Sequence, residues 1–182
     1  MKTIYLVRHC SATSQAPNAD LTEIGFQQAQ DLVSFFENKE VEHIISSPYL
    51  RAIQSITPTA LCKQLKIQTD SRLAERILSD IDLPDWMTQL EKTFSNMDLR
   101  LPGGESCREA TARGVEVIMQ MPNQSILVTH GNLMSLILKH FDDSYGFQEW
   151  KSLSNPDVYT LDFDHSISNI ERVWNEESHT LE

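Results

Sequence analysis

Twice in this chain a short apolar run of strand character stops abruptly at a histidine. Thr3 to Val7 runs into Arg8-His9, and Ser125 to Thr129 runs into His130-Gly131. Each run is nearly continuous in aliphatic and β-branched residues, as expected of a strand buried on both faces of a mostly parallel sheet. The segments between them read as helices and further strands. Thr22 is a plausible N-cap for a helix reaching about Asn38, with Phe26, Ala29, Leu32, Val33 and Phe36 spaced to form one buried face. His43 to Ser46 reads as a second strand, and Ser47-Pro48 leads into a helix carrying Arg51, Ile53, Ile56, Ala60 and Leu61, which Pro58 is expected to kink or interrupt. Ile67 to Thr69 reads as a short strand. Helices are expected around Trp86 to Phe94, from Glu105 or Ser106 to about Met119, and from Leu133 to Phe141. Val158 to Phe163 and Ile167 to Trp174 alternate with period two, as a closing antiparallel pair. This order of elements implies a three-layer α/β/α sandwich with a mostly parallel central sheet.

A length of 182 residues requires only one domain, read here as 1–180; Leu181-Glu182 resembles a cloning scar. Ile81 to Leu101 is the least regular stretch and is read as a cap inserted over the site. The formal net charge of -11 disfavours nonspecific binding to nucleic acid or anionic membrane, which needs clustered Lys and Arg. No apolar run approaches the roughly 20 residues of a membrane span, and Arg8-His9 come too early for a signal-peptide core. Cys10, Cys62 and Cys107 are odd in number and unpaired in spacing, which suits a reduced compartment; cytoplasm is the expectation. The remaining histidines, His43, His140, His165 and His179, show no metal-ligand spacing, so no metal and no organic cofactor is expected.

Open α/β sheets bind ligands outside the carboxyl ends of their strands, so His9 and His130 should face one crevice. Arg8 and Arg51 can reach the same place. In an acidic chain, two arginines and two histidines converging on one crevice form a local cationic pocket. Phosphate suits it, since guanidinium forks match its oxygens and stay charged. A neutral imidazole is a competent nucleophile towards phosphorus, so His9 can attack while Arg8, Arg51 and His130 stabilise the equatorial oxygens. A proton donor for the leaving oxygen is still required. Glu75 is the first candidate and Glu105 its rival.

Several blocks in order resemble the histidine phosphatase superfamily, which includes the cofactor-dependent phosphoglycerate mutases. Leu6-Val7-Arg8-His9 is similar to its nucleophile motif, and Leu21-Thr22-Glu23-Ile24-Gly25 with Gln28-Ala29 to the helix start that follows. Ser46 to Gln54 is similar to its second-arginine motif, and Val128-Thr129-His130-Gly131 to its second-histidine motif. Arg72 to Glu75 and Gly103 to Ser106 add to the likeness. The resemblance implies a phosphoglycerate mutase-like fold, a phosphohistidine on His9, a clamp of Arg8, Arg51 and His130, and Glu75 as general acid. Cys10, Ala12 and Gln15 depart from the family's usual Gly, Thr or Ser, and Asn. Ser11, Thr13 and Gln15 are the polar side chains at hand to replace the missing hydroxyl, and Gln15 is grouped with the phosphate-binding residues.

Alternatives are set beside this reading. Cys10 lacks an arginine six residues on, and Cys107, which has Arg113 there, lies in a glycine-free stretch that reads as helix; Cys10 and Cys62 are expected to be packing residues. The function expected is hydrolysis of a small phosphomonoester. A phosphoglycerate-type mutase, which must shield its phosphoenzyme from water, and a noncatalytic phosphate-binding module are the rivals. Trp86, Met87, Leu90 and Phe94 have helical spacing that serves either a substrate entrance or a buried face.

Overall fold

The computed structural model describes residues 2–175; the tail at Leu181-Glu182, the acidic pair Glu176-Glu177 and His179 lie outside them. In chain order the elements are β1 (Lys2–Arg8), α1 (Glu23–Phe36), β2 (His43–Ser46), α2 (Leu50–Lys63), β3 (Ile67–Thr69), a 3-10 turn (Ser71–Leu73), α3 (Trp86–Ser95), α4 (Cys107–Gln120), β4 (Ser125–Thr129), α5 (Gly131–Phe141), α6 (Phe147–Ser152), β5 (Asp157–Asp164) and β6 (Ser166–Arg172). The six strands lie in the order β3-β2-β4-β1-β5-β6. β3, β2, β4 and β1 run parallel, β5 pairs antiparallel with β1, and β6 pairs antiparallel with β5.

Alternation along the strands divides the core between two faces. Ile4, Leu6, Ile45 and Leu127 pack with α4 and α5, whereas Val7, Ile44, Ile126 and Val128 pack with α1 and α2. This is the three-layer α/β/α sandwich that the order of elements implied.

Thr22 caps α1 by accepting from the Gly25 amide, and Ser106 with Glu109 forms a reciprocal capping box at the start of α4. The α1 face differs from the expected one at two positions, and at one of them Val33 is only half-buried. Phe26 is exposed and Gly25 is buried instead, because the start of α1 presses on the loop after β1; a Cβ at position 25 would meet the Ser11 carbonyl oxygen at 2.1 Å.

α2 is also corrected. It runs through Pro58 without interruption, since Ser55, Ile56, Thr59 and Ala60 are buried on both sides of the proline and tertiary packing outweighs one lost backbone bond. Leu61 and Cys62 face solvent rather than the core, so Cys62 is not a packing residue. α6 has no counterpart in the sequence reading, because six residues are too few for helical periodicity to register.

Candidate active site

The parallel ladder builds the site. Arg8 pairs with Thr129 and Ser46 with Val128, so His9 and His130 emerge at one level, and Ser47 leaves its strand one residue before them. The His9 amide donates to the Thr129 carbonyl (3.1 Å) and the Ser47 amide to that of Val128 (2.9 Å), extending the sheet by one rung. The two imidazole centroids are 5.0 Å apart.

Above them opens a cavity of about 660 Å³, within the usual range for small-molecule sites. Arg8, His9, Gln15, Arg51 and Glu75 all line it. His130 does not: it is fully buried beside His9, edge-on to the Tyr49 ring.

Hydrogen bonding assigns the protonation of His9. Its Nδ1 lies 2.6 Å from the Cys10 carbonyl oxygen, which can only accept, so Nδ1 carries the proton. Its Nε2 accepts from Arg51 Nε at 3.2 Å, and a guanidinium can only donate. The ring is therefore neutral with its lone pair on Nε2. Burial, reinforced by the Arg51 and Arg8 charges, pulls its pKa down to about 3. His130 is likewise held well below the ordinary value by burial and by His9 beside it; its Nε2 lies 2.7 Å from the Ser47 hydroxyl.

Glu75 arrives by a different route. Thr129 Oγ1 donates to the Leu73 carbonyl (2.8 Å), and Arg113 of α4 donates to the carbonyls of Arg72 and Ala74, so the segment after the 3-10 turn is drawn over the strand ends. The carboxylate then seats on the N-terminus of α5. Oε1 accepts from the amides of Arg76 (2.8 Å) and Leu133 (2.9 Å), and Oε2 from that of Asn132 (3.0 Å). Three of its four lone-pair positions are filled, and the open one is on Oε2. Glu105 does not line the cavity; both its oxygens are taken by Arg113.

The arginines separate into two groups. Of the eight in the chain, Arg72, Arg100, Arg108, Arg113 and Arg172 pair with carboxylates. Arg8, Arg51 and Arg76 make no ion pair among the described residues, and these three line the cavity. Arg8 is anchored through Nη1 to the Leu153 and Ser154 carbonyls, and Arg51 through Nη1 to those of Gln15 and Ala16. Polar atoms sealed from solvent without a partner concentrate here too. They are Arg8 Nε, Arg76 Nη2, His130 Nδ1 and Asn132 Nδ2; among the described residues only Thr59 Oγ1 lies elsewhere.

In the loop after β1, Ser11, Ala12 and Gln15 line the cavity, whereas the Thr13 hydroxyl is taken by the Asp20 carbonyl. The Cys10 thiol is buried and pushed up to about 12, and burial raises that of Cys107 as well, which removes both from thiolate chemistry at neutral pH. Arg76, Asn132, Trp150 and Asn155 were missed from sequence. Asn155 Nδ2 donates to the His9 carbonyl (2.7 Å) across 146 positions, a relation with no local signal. Of residues 81–101, Trp86 and Leu90 line the cavity while Phe94 is buried in the core. Among the described residues no cluster of three or more His, Cys, Asp or Glu could hold a metal ion, and no helix is long and apolar enough to cross a membrane.

Sheet, crevice and cationic lining together define a class, an α/β enzyme whose site is made for an anionic ester. The chain belongs to the histidine phosphatase superfamily (branch 1), whose sequence profile matches residues 4–176. It is accordingly a histidine phosphatase, an enzyme that hydrolyses phosphomonoesters through a histidine. A Yersinia pestis protein named "Probable phosphoglycerate mutase GpmB" is 28% identical over 158 residues, covering 76% of this chain and 74% of that protein. Among solved structures, Bacillus stearothermophilus YhfR superposes with a TM-score of 0.75 at 22% identity, over 92% of this chain and 95% of its own. A mycobacterial glucosyl-3-phosphoglycerate phosphatase in complex with inorganic phosphate does so at 0.75 and 19% identity, over the whole of both chains. These likenesses show a shared fold.

Proposed function

We propose that this enzyme hydrolyses a small phosphomonoester through a covalent phosphohistidine on His9. The observation that carries the proposal is the state of His9: neutral, with the Nε2 lone pair at the cavity and Nδ1 tied to the Cys10 carbonyl. Nε2 attacks phosphorus as the P–O ester bond breaks. The departing oxygen takes a proton from Glu75, whose open lone-pair position on Oε2 is where that proton is carried. Arg51 Nε passes from Nε2 to a phosphoryl oxygen, and Arg8, with no carboxylate of its own, matches another. As the Nε2–P bond forms, Nδ1 keeps its proton and the Cys10 carbonyl takes up the charge growing on the ring. Water then attacks phosphorus, the P–N bond breaks, and Glu75 takes the proton of the water. Gln15 and Ser11 are the polar side chains of the first loop available to the phosphoryl group, and His130 supports His9 from behind with its unpaired Nδ1.

The test is steady-state hydrolysis of an aryl phosphate. His9→Ala is expected to lose at least about a thousandfold in kcat, as removal of a nucleophile does, with the fold retained by circular dichroism. Equal rates in the two proteins would sink the assignment, and phosphate binding without turnover in either would favour a noncatalytic module.

A second reading has one observation in its favour, the mutase name carried by the 28%-identical relative. A mutase must keep its phosphoenzyme from water, and Gln15, Ile77 and Trp86 around this cavity are exposed. Hydrolysis is therefore preferred. Phosphate exchange between phosphoglycerates, dependent on a bisphosphorylated primer and outpacing hydrolysis, would reverse that preference.

A further inference from the structure

The His9 amide is still held by the strand ladder, through the Thr129 carbonyl, but the peptide groups that follow it need partners from outside the sheet. Side chains of separate elements supply them. Asn155, between α6 and β5, donates from Nδ2 to the His9 carbonyl (2.7 Å). Ser55 of α2 accepts the Cys10 amide on Oγ (2.8 Å), while its hydroxyl donates to the Arg51 carbonyl (2.6 Å). Gln28 of α1 accepts the Ser11 amide on Oε1 (2.8 Å). Gln28 stands in one of the sequence blocks that resemble the histidine phosphatases, yet the phosphoryl transfer described above makes no use of it. Neither Gln28 nor Ser55 lines the cavity.

A peptide unit is planar, and in the trans form its carbonyl and its N–H point in opposite directions, so fixing one end aims the other. The peptide joining His9 to Cys10 is held at both ends, its oxygen by Asn155 and its N–H by Ser55. The next peptide, joining Cys10 to Ser11, is held at its N–H by Gln28. Its oxygen is thereby aimed the other way, where it meets His9 Nδ1 at 2.6 Å. That contact keeps the imidazole proton on Nδ1 and the lone pair on Nε2, and Arg51 Nε favours the same form from the far side of the ring.

We propose that Gln28, Ser55 and Asn155 are positioning residues for the nucleophile, fixing the two peptides after His9 so that the Cys10 carbonyl holds the ring in one orientation and one tautomer. This rests on the reading of His9 as nucleophile and adds the groups that prepare it. Gln28 and Ser55 act through the backbone alone. A free neutral imidazole exchanges between its two tautomers, so a loosened Cys10 carbonyl admits rings whose Nε2 carries the proton and has no lone pair for phosphorus.

The test joins kinetics to the side-chain nitrogen resonances of His9 in 15N-histidine-labelled protein at pH 7, assigned by their loss in His9→Ala. Wild type is expected to show one protonated and one bare nitrogen, with widely separated shifts. Gln28→Met is expected to bring those shifts together and to lower kcat on an aryl phosphate by about ten- to a hundredfold, the range for a misplaced reacting group. KM and inhibition by inorganic phosphate should change by less than about threefold, since Arg8 keeps its anchors at Leu153 and Ser154 and Arg51 its own at Gln15 and Ala16. Gln28→Glu retains an acceptor for the Ser11 amide and is expected to restore both the shifts and the rate. Ser55→Ala serves as the second variant should Gln28→Met fold poorly, with the same effects expected. Unchanged kcat in both Gln28→Met and Ser55→Ala overturns the proposal. So does a fall in kcat with the two resonances as far apart as in wild type, or an equal fall in Gln28→Glu. Failure of the phosphatase reading is distinguishable: His9→Ala then keeps its rate, whereas the His9 shifts still respond to Gln28→Met.

Discussion

At the scale of single residues, the site depends on which atoms are left unpaired. His9 is an ordinary imidazole made specific by two neighbours, an acceptor at Nδ1 and a donor at Nε2. Arg8 is held flat over Gly131, where a Cβ would meet its Cζ, Nε and Nη2 at 3.1 Å. Contacts that tight allow no side chain without moving the guanidinium. Gly131→Ala is therefore expected to lower kcat/KM on an aryl phosphate by about ten- to a hundredfold, the range for a displaced catalytic group, with little change in melting temperature. An unchanged kcat/KM would show that Arg8 does not need this position. The strand-end histidines and the cavity-lining Arg8 and Arg51 were legible in the sequence because each ends or follows a strand or opens a helix. Arg76 was not, since an arginine one place after a candidate acid looks like any surface residue until its lack of a carboxylate is seen.

At the scale of elements, α4 braces the segment that carries Glu75 from outside the cavity. Its Arg113 holds the carbonyls of Arg72 and Ala74 and the carboxylate of Glu105, and so sets where Glu75 stands. The helix begins with the Ser106 and Glu109 capping box, which satisfies two otherwise unpaired amides. Ser106→Ala is expected to lower unfolding free energy by about 1 kcal/mol, measured as a shift of the urea midpoint at constant slope, and to leave aryl phosphate hydrolysis unchanged. A large loss of activity without a loss of stability would mean that the cap acts on the site directly. Elements with long apolar patterns were read within a few residues of their ends. Those decided by surroundings were not: Pro58 sits inside an unbroken α2, Leu61 turns outward, and α6 is too short to announce itself.

At the scale of the whole molecule, two buried neutral histidines tie stability to pH. His9 titrates near 3 when folded and near 6.5 in an open chain, so between those values the unfolded state binds more protons. Stability then rises with pH. The contribution is complete above about 6.5 and is lost as pH falls towards 3; His130 acts in the same direction. Wild type is expected to lose a few kcal/mol of unfolding free energy between pH 7 and 4, and His9→Asn to lose measurably less, by urea titration at each pH. Parallel pH curves for the two proteins would refute the assignment of a neutral buried His9.

What the amino-acid order determined by itself is whatever is written locally. Apolar runs ending at Arg8-His9 and His130-Gly131 set strand ends, helical spacing set α1 and α4, and together these implied the layered sheet and a phosphate-seeking edge. Only the tertiary structure decided the rest. That His130 is buried beside His9 and does not line the cavity, that Glu75 lines it while Glu105 binds Arg113, and that Arg76, Asn132, Trp150 and Asn155 complete its walls all follow from parallel register and helix packing. Those are contacts between residues far apart in sequence, and no local pattern encodes which distant partner a side chain will meet.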